Sequence, residues 1–194
     1  VALECLQAAL PEIPVIGVIK PGAAAAIQAS KNGHIIVIAT EGTVRNGAYE
    51  RAIRELHSSA IIHSQGCQLL VALAEEGWHE GELVETIIAR YLRPILHETP
   101  DFKPDCLVLG CTHFPVLSAA IQHVAGTNIT LVDSAKTTAL AVEALLSKQQ
   151  LVRQSDRPRT CQFLATDAPE RFARIASQFL GYSLSENEIG LVDL

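Results

Sequence analysis

Methionine is absent from all 194 residues, tryptophan occurs once, and aromatic residues make up only 5% of the chain. A chain with no initiator that opens on Val1-Ala2-Leu3-Glu4-Cys5-Leu6, already a helical pattern, reads as the interior of a longer protein. Basic clusters are missing as well. Lys and Arg number 15 against 21 Asp and Glu, a formal charge of -6, and that balance argues against a nucleic-acid surface. An acidic small-molecule substrate stays compatible with it, because a local site can be positive inside a negative protein. No apolar run approaches the roughly 20 residues of a bilayer span and no signal peptide opens the chain, so no membrane partner is expected. Paired CxxC spacings are lacking too. Cys5, Cys67, Cys106, Cys111 and Cys161 are odd in number and scattered, which suits a reducing cytoplasm and offers neither a disulfide frame nor a zinc site. The histidines show no metal-ligand spacing, so no metal is expected.

What is present is an apolar content of 48% with 19% charged residues, the balance of a folded globular chain. Strand and helix patterns alternate almost throughout, the signature of parallel α/β layers joined by right-handed crossovers. Strands are expected at Val15 to Ile19, His34 to Ala39, Ala60 to His63, Cys106 to Leu109, Ile129 to Val132 and Thr160 to Ala165. Helices are expected from about Ala23 to Ala29 after Pro21-Gly22, Val44 to His57, Leu69 to Glu76, Leu83 to Leu96 with Pro94 bending or ending it, Pro115 onward, Ala135 to Leu146 and Glu170 to Leu180. The polar stretch Ser147 to Arg159 reads as a linker.

Within Leu107-Val108-Leu109-Gly110-Cys111-Thr112-His113-Phe114-Pro115 an apolar strand breaks at a glycine and presents a thiol, a hydroxyl and an imidazole together. Open α/β sheets place their ligand crevice outside the carboxyl ends of their strands, so Cys111 sits where chemistry is expected. A following helix start would favour the thiolate, and an imidazolium at His113 would depress the thiol pKa further. Cys106, five residues earlier, reads as a small buried hydrophobe. Thr40/Thr43 and Asp133/Ser134 stand at two further strand ends, where they serve as helix caps, ligand contacts or both. Glu75, next to Glu76 on an amphipathic helix, reads from its own surroundings as a solvated carboxylate.

Taken in order, Pro14-Val15-Ile16-Gly17-Val18-Ile19, Ala39-Thr40-Glu41-Gly42-Thr43-Val44, Glu75-Glu76-Gly77, Gly110-Cys111-Thr112-His113-Phe114-Pro115 and Leu131-Val132-Asp133-Ser134-Ala135 resemble the glutamate racemases of the cofactor-independent Asp/Glu racemase family. The resemblance implies a fold of two Rossmann-like parallel-sheet lobes and a reaction in which two cysteines exchange the α-proton of glutamate across opposite faces, without pyridoxal phosphate or any other cofactor. It implies D-glutamate supply for peptidoglycan in the cytoplasm, and a homodimer of the intact protein. By the same resemblance Cys111 is one of the two thiols, His113 assists it, Glu75 is acidic beside the site, and Thr112, His113 and Thr43 hold substrate. The early Asp-Ser-Gly, Pro-Tyr-Gly and Cys-Asn-Thr motifs of that family do not occur, and Cys5 does not replace the second thiol. On that template residues 1–19 and 135–194 belong to an incomplete first lobe and residues 20–134 to the second. The chain alone is then expected to fold poorly or to lack racemase activity. Aspartate or hydantoin racemases, a thiol hydrolase and a non-catalytic glutamate-binding remnant are the alternatives.

Overall fold

His34-Ile35-Ile36-Val37-Ile38-Ala39 is β-branched at four central positions and buried from Ile35 onward, so it forms the interior strand of a sheet with both faces covered. The computed structural model describes residues 2–97, 101–154 and 160–193. In chain order its elements are α1 (Ala2–Ala9), α2 (Ile19–Ala29), β1 (His34–Ala39), α3 (Glu41–Asn46), α4 (Ala48–Leu56), β2 (Ile61–Gly66), α5 (Gln68–Glu75) and α6 (Glu82–His97). There follow β3 (Cys106–Leu109), a 3-10 turn at Phe114–Leu117, α7 (Ser118–Ala125), β4 (Thr130–Asp133), α8 (Ser134–Lys148), β5 (Phe163–Ala165), α9 (Pro169–Leu180), a second 3-10 turn at Glu186–Glu188 and β6 (Ile189–Leu191).

The first four strands form one parallel sheet in the order β2-β1-β3-β4. Parallel neighbours need crossovers, which α3 with α4, α5 with α6, and α7 provide. The chain leaves β1 toward β2 on one side and leaves β3 toward β4 on the other. The carboxyl ends of β1 and β3 therefore flank the point where the winding reverses, the position at which doubly wound sheets open a ligand crevice. Two apolar layers cover the sheet. Ile36, Ile38, Leu107 and Leu109 face α5, α6 and α7, while Ile35, Val37, Cys106 and Val108 face α2 and α4. Each buried Ile or Leu contributes roughly 1.5–3 kcal/mol, so the two layers fix the strand ends firmly. A separate two-stranded parallel sheet pairs β5 with β6 and packs Ala165, Leu184 and Ile189 on Ala173 of α9.

Several sequence expectations need correction. Val15 to Ile19 is not a strand: Ile19 opens α2, and no described strand lies alongside Val15–Val18 to take its backbone groups. That stretch rests on α1, where Gln7 Nε2 donates to Val15 O at 2.8 Å and Leu3 covers Gly17. Pro21 and Gly22 do not precede the alanine-rich helix but lie within it. Pro21 is in the first turn, where a missing N–H costs nothing, and a Cβ on Gly22 would meet the Tyr49 ring at 3.2 Å. The helix expected over Val44 to His57 is divided at Gly47, whose φ of 64° ends α3 and starts α4. Pro94 neither ends α6 nor prevents it reaching His97. The linker expected at Ser147 to Arg159 begins after α8, and its part over 155–159 lies outside the described residues.

Candidate active site at the carboxyl ends of β1 and β3

Gly110 follows β3 and donates its N–H to Ile38 O at 2.8 Å, carrying the pairing with β1 one residue past the strand. A Cβ here would lie 3.0 Å from both Ile38 O and Tyr49 Cε2, so the close approach requires glycine. The backbone then turns and presents Cys111 half-buried at the rim. Phe114 N closes the turn on Cys111 O at 3.2 Å, and Phe114 and Leu117 anchor it in the core. The helix expected from Pro115 begins instead as the 3-10 turn, and α7 starts at Ser118. The thiol therefore faces a tight turn rather than the start of an α-helix.

Cys111 Sγ lies 3.9 Å from His113 Nδ1. On the far side of the ring, His113 Nε2 is 3.3 Å from Glu75 Oε1. A carboxylate facing Nε2 holds the ring proton there and leaves the Nδ1 lone pair toward the thiol. Glu75 is not a freely solvated carboxylate, as its own helical surroundings suggested: its side chain is 24% exposed and its other oxygen pairs with Arg171. The resemblance made it an acidic residue beside the site, and in the structure His113 stands between it and Cys111.

The thiolate preference read from the sequence does not hold. Burial pushes the Cys111 thiol above its ordinary value, and the amides of His113 and Thr112 with the Thr112 hydroxyl only partly offset it. Once deprotonated, such a thiol is a stronger base. Cys67 and Cys106 are sealed in the core, and burial pushes each of them up to about 12. Cys5 and Cys161 are exposed.

Thr112 is exposed beside the thiol. Thr43, on α3 at the neighbouring end of β1, shares a 3.0 Å hydrogen bond with Thr40 rather than reaching Cys111 or His113. Asp133 is the cap of α8, its Oδ1 accepting from Ala135 N at 2.8 Å and Lys136 N at 3.2 Å. Ser134 is buried and donates to Leu109 O at 2.7 Å, tying the end of β4 to that of β3. The Tyr49 hydroxyl beneath Gly110 is buried without a hydrogen bond, and burial pushes the phenol up. Tyr49 lies within the helix expected over Val44 to His57. Arg171, Arg174 and Phe179 of α9 gave no signal, since nothing in the order of residues joins α9 to α5 across 96 positions.

Comparison with known proteins gives the family and the fold. The family profile described as Asp/Glu/Hydantoin racemase matches residues 1–142. The chain is 38% identical over 185 residues to the glutamate racemase of Geobacter metallireducens, covering 95% of this chain and 67% of that protein. It is 42% identical over 184 residues to the glutamate racemase of Syntrophus aciditrophicus, covering 95% and 66%. The chain thus spans about two thirds of the length of these relatives. The crystal structure of glutamate racemase isoform RacE1 from Bacillus anthracis superposes with a TM-score of 0.87 at 36% identity, over 99% of this chain and 69% of that one. That of the Francisella tularensis enzyme in complex with D-glutamate gives 0.85 at 27%, over 98% and 68%. With an α/β fold that matches these structures and a thiol placed where its sheet reverses, the chain belongs to the Asp/Glu/Hydantoin racemase family.

Proposed function

We propose that the chain carries one proton-transfer face of a glutamate racemase, with Cys111 as the group that takes or returns the α-proton. The observation that supports this most is the line Cys111 Sγ to His113 Nδ1 at 3.9 Å and His113 Nε2 to Glu75 at 3.3 Å. An α-proton beside a carboxylate is weakly acidic, so its removal needs a strong base and fixed donors where negative charge develops. His113 Nδ1 accepts the thiol proton, Cys111 Sγ takes the proton from Cα, and the Thr112 hydroxyl and neighbouring amides hold the substrate carboxylate. Thr43 extends the binding edge from β1. A second proton donor on the opposite face completes inversion, and the family resemblance makes that donor a cysteine. Glutamate is the substrate, as in the names of the relatives, and its D form serves peptidoglycan synthesis in the cytoplasm. The reading needs no cofactor, and it assigns residues 20–134 to one lobe, residues 1–19 and 135–194 to another, and a homodimer to the intact protein.

Thiol, imidazole and carboxylate in line are also the arrangement of a thiol hydrolase. Such nucleophiles work as thiolates of depressed pKa, whereas burial holds the Cys111 thiol up, which favours proton transfer. Incubation with L-glutamate, L-aspartate and a hydantoin in D2O tests the choice. Loss of the α-proton signal from glutamate alone is expected. An acyl adduct on Cys111 in the mass spectrum would overturn the proposal.

A further inference from the structure

We infer that Arg171 is a positioning residue: from α9 it fixes the Glu75 carboxylate so that His113 keeps its proton on Nε2 and its Nδ1 lone pair toward Cys111. This rests on the proposed role of the Cys111–His113 pair and extends it to a helix that does not touch the sulfur. Glu75 is the last residue of α5, where the helix dipole disfavours a negative charge. A cationic partner offsets that cost, and α9 supplies one arginine to the carboxylate and a second to the main-chain carbonyl of the same residue. Arg171 Nη2 binds Glu75 Oε2, and Arg174 Nη1 donates to Glu75 O at 2.8 Å. A third contact falls on the imidazole itself. The Phe179 ring meets the His113 ring edge-on, with centroids 5.8 Å apart and planes at 87°.

The three contacts divide the labour. Arg174 fixes the end of the helix that carries Glu75, and Phe179 limits rotation of the His113 ring. Arg171 alone occupies the second carboxylate oxygen, which leaves Oε1 directed at Nε2. Because α9 packs on β5 and β6 through Ala173, the small sheet and the site are connected through these three contacts. Without Arg171 the carboxylate turns toward water, Nε2 loses its acceptor, and the ring proton is shared between both nitrogens. A proton on Nδ1 faces the thiol and cannot accept its hydrogen.

The test is the 15N spectrum of the His113 ring in the neutral form, which separates a protonated from an unprotonated nitrogen, recorded for the whole chain. In the wild type, Nε2 is expected to carry the proton. In Arg171→Ala the difference between the two nitrogen shifts should fall by roughly half or more, Arg171→Lys should restore part of it, and alkylation of Cys111 should slow several-fold. Backbone amide shifts of β1 and β3 report whether each variant is folded; a purely structural role would move those and leave the tautomer of the folded fraction alone. An unchanged tautomer in folded Arg171→Ala, or in Glu75→Ala, would overturn the inference. Tautomer control by Arg171 without deuterium uptake into glutamate would support this inference and count against the racemase reading.

Discussion

Two effects oppose each other at the Cys111 sulfur. Burial raises the cost of a thiolate, and the surrounding amides and the Thr112 hydroxyl reduce it without cancelling it. The result is a thiol that holds its proton more firmly than a free cysteine does. Cys111→Ser is therefore expected to lower proton exchange at glutamate Cα by about 10²-fold or more, measured by NMR in D2O, because a hydroxyl is a far poorer acid at that position. The other thiols serve as internal controls. At pH 8 iodoacetamide should modify Cys5, Cys161 and, more slowly, Cys111, while Cys67 and Cys106 stay unmodified in the mass spectrum of the native chain. Labelling of Cys67 or Cys106 at the rate of Cys5 would mean that the apolar layers are open to solvent.

At the scale of elements, the ends of strands and helices decide where the chemistry sits. Gly110→Ala would push a Cβ against Ile38 O and the Tyr49 ring, and backbone on one side cannot give easily. It should destabilise by about 1–3 kcal/mol in urea unfolding and shift the Cys111 resonances with it. Ala168, which precedes α9 with φ of 45°, sits in a region alanine avoids. Ala168→Gly should raise stability by about 0.5–1 kcal/mol without altering the Glu75 contacts. What was legible in the sequence follows from the same physics. β1 and β3 are continuous apolar runs because both faces of a parallel sheet are covered, and a glycine followed by polar residues marked where β3 ends. Val15 to Ile19 misled because an apolar run does not by itself supply a neighbouring strand, and with none beside it among the described residues the run is not buried and Val18 stays exposed. The division at Gly47 was hidden because a single glycine inside a helical pattern does not by itself mark a helix end. Arg171 was invisible because its partner comes from another helix, and local periodicity carries no information about that.

For the molecule as a whole, the sheet is joined to its surroundings by a few buried or charged fastenings whose titration sets its pH limits. Asp105, just before β3, accepts from Ser30 Oγ at 2.5 Å, Lys31 N at 2.6 Å and Asn32 N at 3.1 Å, and so binds the α2–β1 turn to β3. Burial alone would raise this carboxyl, but the Ser30 hydroxyl and the two amides together hold it below the usual carboxylate range. Its folded value is depressed, so its contribution is present above the ordinary carboxylate pKa and is lost as pH falls through the folded value. Asp105→Asn, which sets an amide against amide donors, should cost about 1–3 kcal/mol at neutral pH and flatten the acid limb of the stability profile. Cys67 and Cys106 act at the other limit. Their folded values are raised, so the stability they contribute is whole below the ordinary 9.0 and declines as pH climbs toward about 12. Between these limits the decisive question is whether the thiol at the sheet's reversal point moves the substrate's α-proton. L-glutamate held with the chain in D2O at pH 8, beside a Cys111→Ala variant of equal fold, answers it directly. The wild type is expected to lose the α-proton signal by exchange at its one thiol face, which needs no inversion and no second thiol, while the variant keeps it. Equal rates in the two, or no loss in either, would contradict that expectation.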